Sequence, residues 1–137
     1  SPLSTFNPLT STLYTEYPKG LADMVAYVNE RGYPAIITEN GSADPSDPLT
    51  APRYLVEHLG WLQRAVAAGA DVRGYFYWTL VDNYEWNHGM QLQYGLYELL
   101  QDASKTRRPR LAVAAYRQIA ERRAIPAELQ QKYPLPE

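Results

Sequence analysis

The sequence predicts an α/β fold in which helices alternate with parallel strands. Apolar residues recur at helical spacing in three segments, and two short apolar runs rich in β-branched and aromatic residues lie between these segments. The order helix, strand, helix, strand, helix is typical of parallel strands joined by helical crossovers. Two parallel strands cannot close a barrel or cover both of their own faces. We therefore expect an arc of a larger α/β architecture.

The first part of the chain predicts one helix and one strand. Residues 1–16 are rich in Ser, Thr and Pro, which indicates a loop or a segment that another part of the molecule supports. A helix is expected over residues 18–31, because a proline opens it, apolar residues repeat at helical spacing and Gly32 ends it. Residues 34–38 form a short apolar run and predict a buried parallel strand.

A second helix and a second strand follow a predicted loop over residues 42–52. The helix ends at Gly69, a residue type that commonly stops helices. Its apolar face is formed by Leu55, Leu59, Leu62 and Val66. Residues 71–80 are almost free of charge beyond their start and predict a buried strand.

The rest of the chain predicts a long connection and a last helix. Residues 81–108 are expected to form a loop at the functional end of the strands, with a small hairpin over residues 94–100. The last helix opens at Pro109 and continues into a tail, so residues 109–137 close the segment. The whole chain, 1–137, then belongs to one domain, in which residues 17–80 form the helix-strand-helix-strand unit.

Composition excludes several classes of function. The chain has 137 residues, with 13 basic and 15 acidic side chains and a formal net charge of -2, so neither nucleic acid nor a membrane surface is an expected partner. It has no cysteine and two histidines far apart in sequence, so no metal site or other cofactor is implied. The cytoplasm is the favoured location, and secretion stays open because the chain begins at Ser1 without a methionine.

Carboxylates follow both predicted strands at the point where each strand ends. Glu39 comes directly after the first apolar run, and Glu85 lies in the segment that leaves the second run. The carboxyl ends of parallel strands meet at one edge of a sheet, where α/β barrels place their active sites. We therefore expect Glu39 and Glu85 to project into one shared pocket, with the rings of Trp78 and Trp86 beside them.

Two motifs carry a resemblance to a known family. The first is Ile-Thr-Glu-Asn-Gly at residues 37–41, and the second is Arg-Gly-Tyr-Phe-Tyr-Trp-Thr-Leu-Val-Asp-Asn-Tyr-Glu-Trp at residues 73–86. In this order, and on strands of this character, they resemble the end of glycoside hydrolase family 1. Tyr-Leu at residue 54 and Arg-Pro at residue 108 are supporting matches, so the resemblance covers nearly the whole chain beyond the first dozen residues.

The resemblance implies a fold and a set of site residues. The fold is a (β/α)8 TIM barrel, of which this chain supplies strands seven and eight with their helices. Glu39 corresponds to the catalytic nucleophile, Trp78 to the ring beneath the sugar, and Glu85 to the carboxylate that accepts hydrogen bonds from distal hydroxyls. Trp86 corresponds to an indole donor to another hydroxyl, and Tyr94 to an aromatic residue that borders the sugar.

Other readings of these residues remain open. Trp78 is also a plausible core residue, and Tyr94 a hairpin residue that packs its ring. Asp82 is expected to serve the turn by accepting hydrogen bonds from backbone groups rather than to contact substrate. The basic run at residues 107–110 indicates a solvated face rather than a phosphate site.

The family takes its general acid/base from an Asn-Glu-Pro motif on the fourth strand. That motif does not occur here, since the only Asn-Glu pair, Asn29-Glu30, precedes an arginine in a predicted helix. A retaining glycosidase needs both carboxyl groups, one to attack the anomeric carbon and one to protonate the departing oxygen. The resemblance therefore implies an N-terminal portion of the same barrel as a partner, and an inactive chain without it.

The predicted function is a retaining β-glycosidase that hydrolyses β-glucosides or related β-galactosides and β-fucosides. The main alternative is a non-catalytic carbohydrate-binding or structural remnant of such a barrel. A further possibility is that the sequence is the second part of an enzyme that was split, cleaved or truncated.

Overall fold

The computed structural model describes residues 16–43 and 47–136. The loop predicted for residues 1–16 therefore lies outside the described residues, except for Glu16. The elements in chain order are α1 (Lys19–Asn29), β1 (Ala35–Ile37), α2 (Thr50–Ala67), β2 (Val72–Tyr75), a 3-10 helix (Trp86–His88), β3 (Tyr97–Leu99), β4 (Arg107–Pro109), α3 (Leu111–Arg122) and α4 (Ala127–Lys132).

The first two helices confirm the predicted pattern. Pro18 is the residue that caps α1, and Gly32, just beyond its end, has a φ of 81°, a left-handed conformation that glycine adopts without a steric penalty. The helix α2 begins inside the segment predicted as a loop over residues 42–52. The Asp47 side chain accepts a 2.8 Å hydrogen bond from the backbone N–H of Leu49, which satisfies a donor before the helix begins.

The two predicted strands pair in parallel, as expected. Ile36 is opposite Gly74, and Ile37 is opposite Tyr75. The predicted second strand, residues 71–80, was too long, because β1 offers only a short partner and β2 ends at Tyr75. Beyond it, contact continues irregularly through a 3.1 Å hydrogen bond from the Trp78 N–H to the Asn40 carbonyl oxygen.

Only one face of this two-stranded sheet is buried. Ala35 and Ile37 point towards the helices and belong to the hydrophobic core, whereas Ile36 is 56% exposed and Phe76 is 60% exposed on the opposite face. The exposed outer face agrees with the expectation that two parallel strands cannot cover both of their own faces. No element among the described residues covers the outer face of β1 and β2, and these residues form no closed barrel.

The core lies between the sheet and a layer of helices. The helix α2 packs against α1 on one side and α3 on the other. Leu55, Leu59 and Leu62 are buried as predicted, whereas Val66, near the end of the same helix, is 48% exposed. Full burial of a leucine side chain contributes about 1.5–3 kcal/mol to stability, so these three leucines stabilise the packing of α2 in the core. No helix within the described ranges is long and apolar enough to cross a membrane.

The C-terminal third differs most from the prediction. The hairpin extends beyond residues 94–100, because β3 pairs in antiparallel fashion with β4, whose first two residues were predicted to be loop. Pro109 ends β4 instead of opening the last helix, which begins at Leu111. A short further helix, α4, was not predicted. The segment before α4 is bonded to α2, because the Ile125 N–H donates a 2.8 Å hydrogen bond to the Gln63 side chain.

Candidate active site

Glu39 lies two residues beyond the end of β1 and is exposed to solvent. Within residues 16–43 and 47–136, no side chain forms a hydrogen bond or an ion pair with its carboxylate. The backbone on either side of it is held instead, because β1 is paired up to Ile37 and the Asn40 carbonyl accepts a hydrogen bond from Trp78. The carboxylate is therefore presented at a fixed strand end.

Gly41 allows the two motifs to come into contact. A Cβ atom at this position would lie 1.8 Å from the carbonyl oxygen of Trp78, which is far too close for any side chain. The left-handed glycines in the described part of the chain are Gly32, Gly69 and Gly89, and Gly41 is not one of them. The requirement for glycine comes from the close approach of a neighbouring backbone.

Trp78 and Glu85 form the opposite side of the site. The indole N–H of Trp78 donates a 3.3 Å hydrogen bond to Oε1 of Glu85. Glu85 precedes the 3-10 helix, and its backbone N–H donates to the carbonyl of Gly89 across that turn. The indole bond uses one lone pair of the carboxylate, so the other acceptor positions of Glu85 remain for a ligand.

An open cleft of about 320 Å³ lies between these groups. Its lining consists of Glu39, Asn40, Gly41, Tyr54, Trp78, Glu85 and Tyr94. Four of the residues singled out in the sequence, Glu39, Trp78, Glu85 and Tyr94, thus surround one space. Both carboxylates face the same cleft, as expected for neighbouring parallel strand ends.

Trp86 does not line this cleft. It begins the 3-10 helix with a φ of 48° and is 85% exposed. Unlike Trp78 and Glu85, Trp86 is therefore not among the residues that surround the cleft. A role for its indole as a hydroxyl donor stays a prediction.

Asn40 was not singled out as a site residue, yet it is held on two sides. Its Oδ1 accepts a 2.8 Å hydrogen bond from the hydroxyl of Tyr75, and its Nδ2 donates a 3.2 Å bond to the hydroxyl of Tyr54. Burial raises the pKa of Tyr75 far above its ordinary value, so this hydroxyl keeps its proton and can donate. The residue after Glu39 is therefore fixed to both β2 and α2.

His58 supports Tyr54 from within α2. The two rings are stacked with centroids 3.8 Å apart, and Nδ1 of His58 lies 2.7 Å from the Tyr54 carbonyl oxygen. Burial lowers the pKa of His58, so the neutral imidazole is favoured and its Nδ1–H can donate to that carbonyl. A tyrosine and a histidine four residues apart on a predicted helix are the sequence signal that could have indicated this pair.

A buried ion pair lies behind the segment that carries Glu85. Asp82 is almost fully buried, and its two carboxylate oxygens accept hydrogen bonds of 2.8 and 2.7 Å from the two terminal nitrogens of Arg110. Asp82 also accepts from the backbone N–H of Gly95, so it does bond a backbone group as predicted, but in a distant segment and not in its own turn. The prediction of a solvated basic run was wrong for Arg110.

Among the residues with described positions, no cluster of three or more His, Asp or Glu side chains could hold a metal ion. The chemistry that this cleft offers is that of two carboxylates, an indole face and phenol hydroxyls. Such groups suit a polyhydroxylated ligand, since carboxylates accept hydrogen bonds from hydroxyls and aromatic faces pack against apolar ring faces.

Comparison with known families decides the assignment. The family model of glycosyl hydrolase family 1 matches residues 4–125. The chain belongs to glycosyl hydrolase family 1. A β-galactosidase of Sulfolobus acidocaldarius is 40% identical over 130 residues, which cover 93% of this chain and 26% of that protein. A β-glucosidase of wheat that acts on a benzoxazinyl glucoside is 45% identical over 101 residues, 65% of this chain and 18% of its own length.

Solved structures of family 1 members have the same local fold. A β-glycosidase from Pyrococcus horikoshii superposes with a TM-score of 0.84 at 39% identity, over 90% of this chain and 29% of that one. A β-glucosidase from Pyrococcus furiosus gives a TM-score of 0.78 at 42% identity, over 86% of this chain and 25% of that one. The chain therefore spans about a quarter of the length of its family 1 relatives.

Proposed function

We propose that this chain supplies the nucleophile and part of the sugar-binding subsite of a retaining β-glycosidase. Glu39 attacks the anomeric carbon, and Trp78 and Glu85 hold the sugar. The proposal rests above all on the arrangement of Glu39, Trp78 and Glu85 around one cleft. In this reading β1 and β2 are the seventh and eighth strands of a (β/α)8 barrel.

The surroundings of Glu39 suit a nucleophile. An attacking carboxylate must be ionised and free to approach the sugar carbon. No cation within the described part of the chain ion-pairs with Glu39, and its neighbour Asn40 is anchored by the Tyr54 and Tyr75 hydroxyls. The carboxylate is thus held in place through the backbone while its oxygens remain open to a substrate.

The surroundings of Glu85 suit a sugar ligand. A carboxylate can accept hydrogen bonds from two adjacent hydroxyls, and its charge strengthens them. The indole of Trp78 fixes one oxygen of Glu85 and places a flat apolar face in the same cleft. Tyr94 supplies a further ring at the border of the cleft. This combination suits the alternation of hydroxyls and C–H faces on a β-glucoside or β-galactoside.

The general acid/base has to come from outside this sequence. The chain has no Asn-Glu-Pro, and it spans about a quarter of the length of its relatives. We propose that an N-terminal portion of the same barrel provides this carboxyl group and covers the exposed face that carries Ile36 and Phe76. The chain by itself is then inactive, because protonation of the leaving oxygen has no donor.

Complementation tests the proposal directly. The chain is mixed or co-expressed with the N-terminal portion of its barrel, and hydrolysis of a chromogenic β-glucoside and β-galactoside is followed. We expect activity from the mixture alone, and loss of at least about a thousandfold in Glu39→Gln, as is usual when a nucleophile is removed. Glu30→Gln, an exposed carboxylate at the end of α1, is the matched control and should keep full activity.

A carbohydrate-binding remnant is the competing function. The cleft offers the sugar contacts of Trp78 and Glu85 without an acid/base, which is all that binding requires. This reading predicts that the complemented barrel binds sugar but never turns it over, and that Glu39→Gln leaves sugar affinity unchanged. Absence of hydrolysis in a folded, sugar-binding complex would favour the remnant over the enzyme.

A further inference from the structure

The buried ion pair between Asp82 and Arg110 lies at the centre of the segment that forms one wall of the cleft. Arg110 also donates a 2.7 Å hydrogen bond from Nη1 to the Gly95 carbonyl and a 3.0 Å bond from Nη2 to the Gln93 side chain. The Asp82 carboxylate accepts from the backbone N–H groups of Gly95 and Leu99. The chain from Gln93 to Leu99 therefore wraps around the pair.

This packing leaves no room at Gly95. A Cβ atom there would lie 2.4 Å from the Asp82 nitrogen and 2.6 Å from the Asp82 Oδ1 atom. Any side chain at this position would displace the carboxylate from Arg110. The close approach indicates that the segment is built around the ion pair, since a loosely attached loop would tolerate a methyl group.

The cleft wall is connected to the pair through its neighbours in sequence. Gly95 directly follows Tyr94, which lines the cleft, and the Tyr94 carbonyl accepts a 3.2 Å hydrogen bond from the backbone N–H of Thr79. Thr79 in turn follows Trp78 and accepts a 2.7 Å bond from the Leu96 N–H. Glu85 lies three residues after Asp82. Each of the three wall residues is therefore within three residues of an anchored position.

We propose that Asp82 and Arg110 are positioning residues that set the geometry of Trp78, Glu85 and Tyr94 in the cleft. The inference rests on the proposed function, because it treats this wall as the sugar-binding side. Neither residue touches the cleft itself. A bidentate arginine-carboxylate pair fixes both distance and plane, so it defines the orientation of the attached segments better than a single hydrogen bond does. Glu39, on the other strand, is anchored independently through Asn40.

The test compares two ion pairs at neighbouring positions. Arg110→Met removes the buried pair, and Arg108→Met removes the exposed pair between Arg108 and Glu98. In the chain assembled with the N-terminal portion of its barrel, we expect Arg110→Met to raise KM roughly tenfold, since small misplacements of binding groups are costly. Arg108→Met should leave KM within twofold. Glu39 should still be labelled by a covalent inhibitor in both variants.

A second readout does not depend on hydrolysis. The indole N–H of Trp78 gives its own resonance in the ¹⁵N-labelled chain, and its hydrogen bond to Glu85 slows exchange with water. Arg110→Met should shift this resonance and accelerate its exchange at least tenfold, while amides of α1 and α2 keep their protection. If the wild-type complex does not hydrolyse β-glycosides, the proposed function is wrong. The exchange rate of the Trp78 indole would still test whether Asp82 and Arg110 position the cleft wall.

Arg110→Lys covers the case in which Arg110→Met fails to fold. Lysine retains the charge beside Asp82 and loses the bidentate geometry, so KM and indole exchange should move in the same direction by a smaller factor. Unchanged KM and unchanged indole exchange in a folded Arg110→Met or Arg110→Lys variant would overturn the inference. Equal loss of protection in α1, α2 and the cleft wall would also overturn it, because that result denotes a general stabilising role.

Discussion

The carbonyl oxygen of Trp78 lies directly against Gly41, only 1.8 Å from the position that a Cβ atom on this glycine would occupy. The contact joins the ends of β1 and β2 beyond their regular pairing. The glycine of the Glu-Asn-Gly motif is therefore required by the backbone of the Tyr-Trp-Thr-Leu motif. The geometry that brings Glu39 towards Trp78 exists only if residue 41 has no side chain.

Substitution of Gly41 by alanine should separate the two strand ends. Because the clash is with backbone, the Trp78 segment has to move as a whole, and we expect a loss of about 3 kcal/mol in the free energy of unfolding. Urea-induced unfolding followed by tryptophan fluorescence measures it. Gly74→Ala is the matched control, since a Cβ at Gly74 would meet only side-chain atoms at 3.4 Å or more. A loss of less than about 0.5 kcal/mol for Gly41→Ala would show that the ends are free to move apart.

The charge of Glu85 should contribute strongly to sugar binding. Glu85→Gln keeps the size of the side chain and an oxygen that can accept from the Trp78 indole, but it removes the negative charge. Hydrogen bonds to charged groups contribute about 1 kcal/mol more than neutral ones, so we expect affinity for glucose-type ligands to fall about fivefold. Isothermal titration of the assembled barrel measures this change. Glu121→Gln, an exposed carboxylate on α3, should have no effect, and an equally small effect of Glu85→Gln would remove Glu85 from the subsite.

The sequence was most informative where local patterns are strong. Periodic apolar residues located α1 and α2, and the short apolar runs located the parallel pair β1 and β2. The position of Glu39 and Glu85 at one edge followed from the rule that parallel strands end together. These features depend on spacing within one segment, or on topology, and both can be read from a single sequence.

What the sequence missed depends on contacts between distant segments. The length of β2 is limited by its short partner, and β4 is a strand only because β3 lies beside it. Arg110 looked like part of a solvated basic run, since nothing near it in sequence indicates a buried partner at Asp82. The support of Asn40 by Tyr54 and Tyr75 is equally non-local. The exposed position of Trp86, outside the cleft, is set by the 3-10 turn after Glu85.

The buried His58 should make stability depend on pH. Its folded pKa is lowered by burial, so the unfolded chain binds more protons as the pH falls through about 6.5. The free energy of unfolding therefore has its full value above about pH 6.5, and it decreases as the pH falls from there towards the folded pKa of His58. Glu57, whose pKa is raised by burial, contributes a slope of opposite sign at lower pH.

The contribution of His58 to the pH dependence of stability is the difference between the wild type and a variant without this histidine. His58→Gln removes the titrating group, and the pH dependence of unfolding is compared between this variant and the wild type over pH 5 to 8. We expect the wild type to lose stability relative to the variant below about pH 6.5. Parallel curves over the whole range would contradict a neutral, buried imidazole beside Tyr54.

The exposed sheet face should matter for assembly but not for the fold of this chain. Ile36 and Phe76 are more than half exposed, so Ile36→Ser with Phe76→Ser should leave the stability of the chain nearly unchanged. If the N-terminal portion covers this face, the double substitution removes about 3–6 kcal/mol of burial and should weaken complex formation at least a hundredfold. Titration of the two parts by fluorescence anisotropy measures it. Val66→Ser on α2 is the control, and equal affinity of all three proteins would place the partner elsewhere.

The covalent intermediate is the most direct test of Glu39 as the nucleophile. The chain, assembled with the N-terminal portion of its barrel, is incubated with an activated 2-deoxy-2-fluoro-β-glucoside, and its peptides are analysed by mass spectrometry. We expect one added fluoroglucosyl group on the peptide that contains residues 37–41, attached to Glu39 and absent in Glu39→Gln. A label on Glu85 or on another carboxylate, in an assembly that hydrolyses β-glucosides, would contradict the role of Glu39 as the nucleophile.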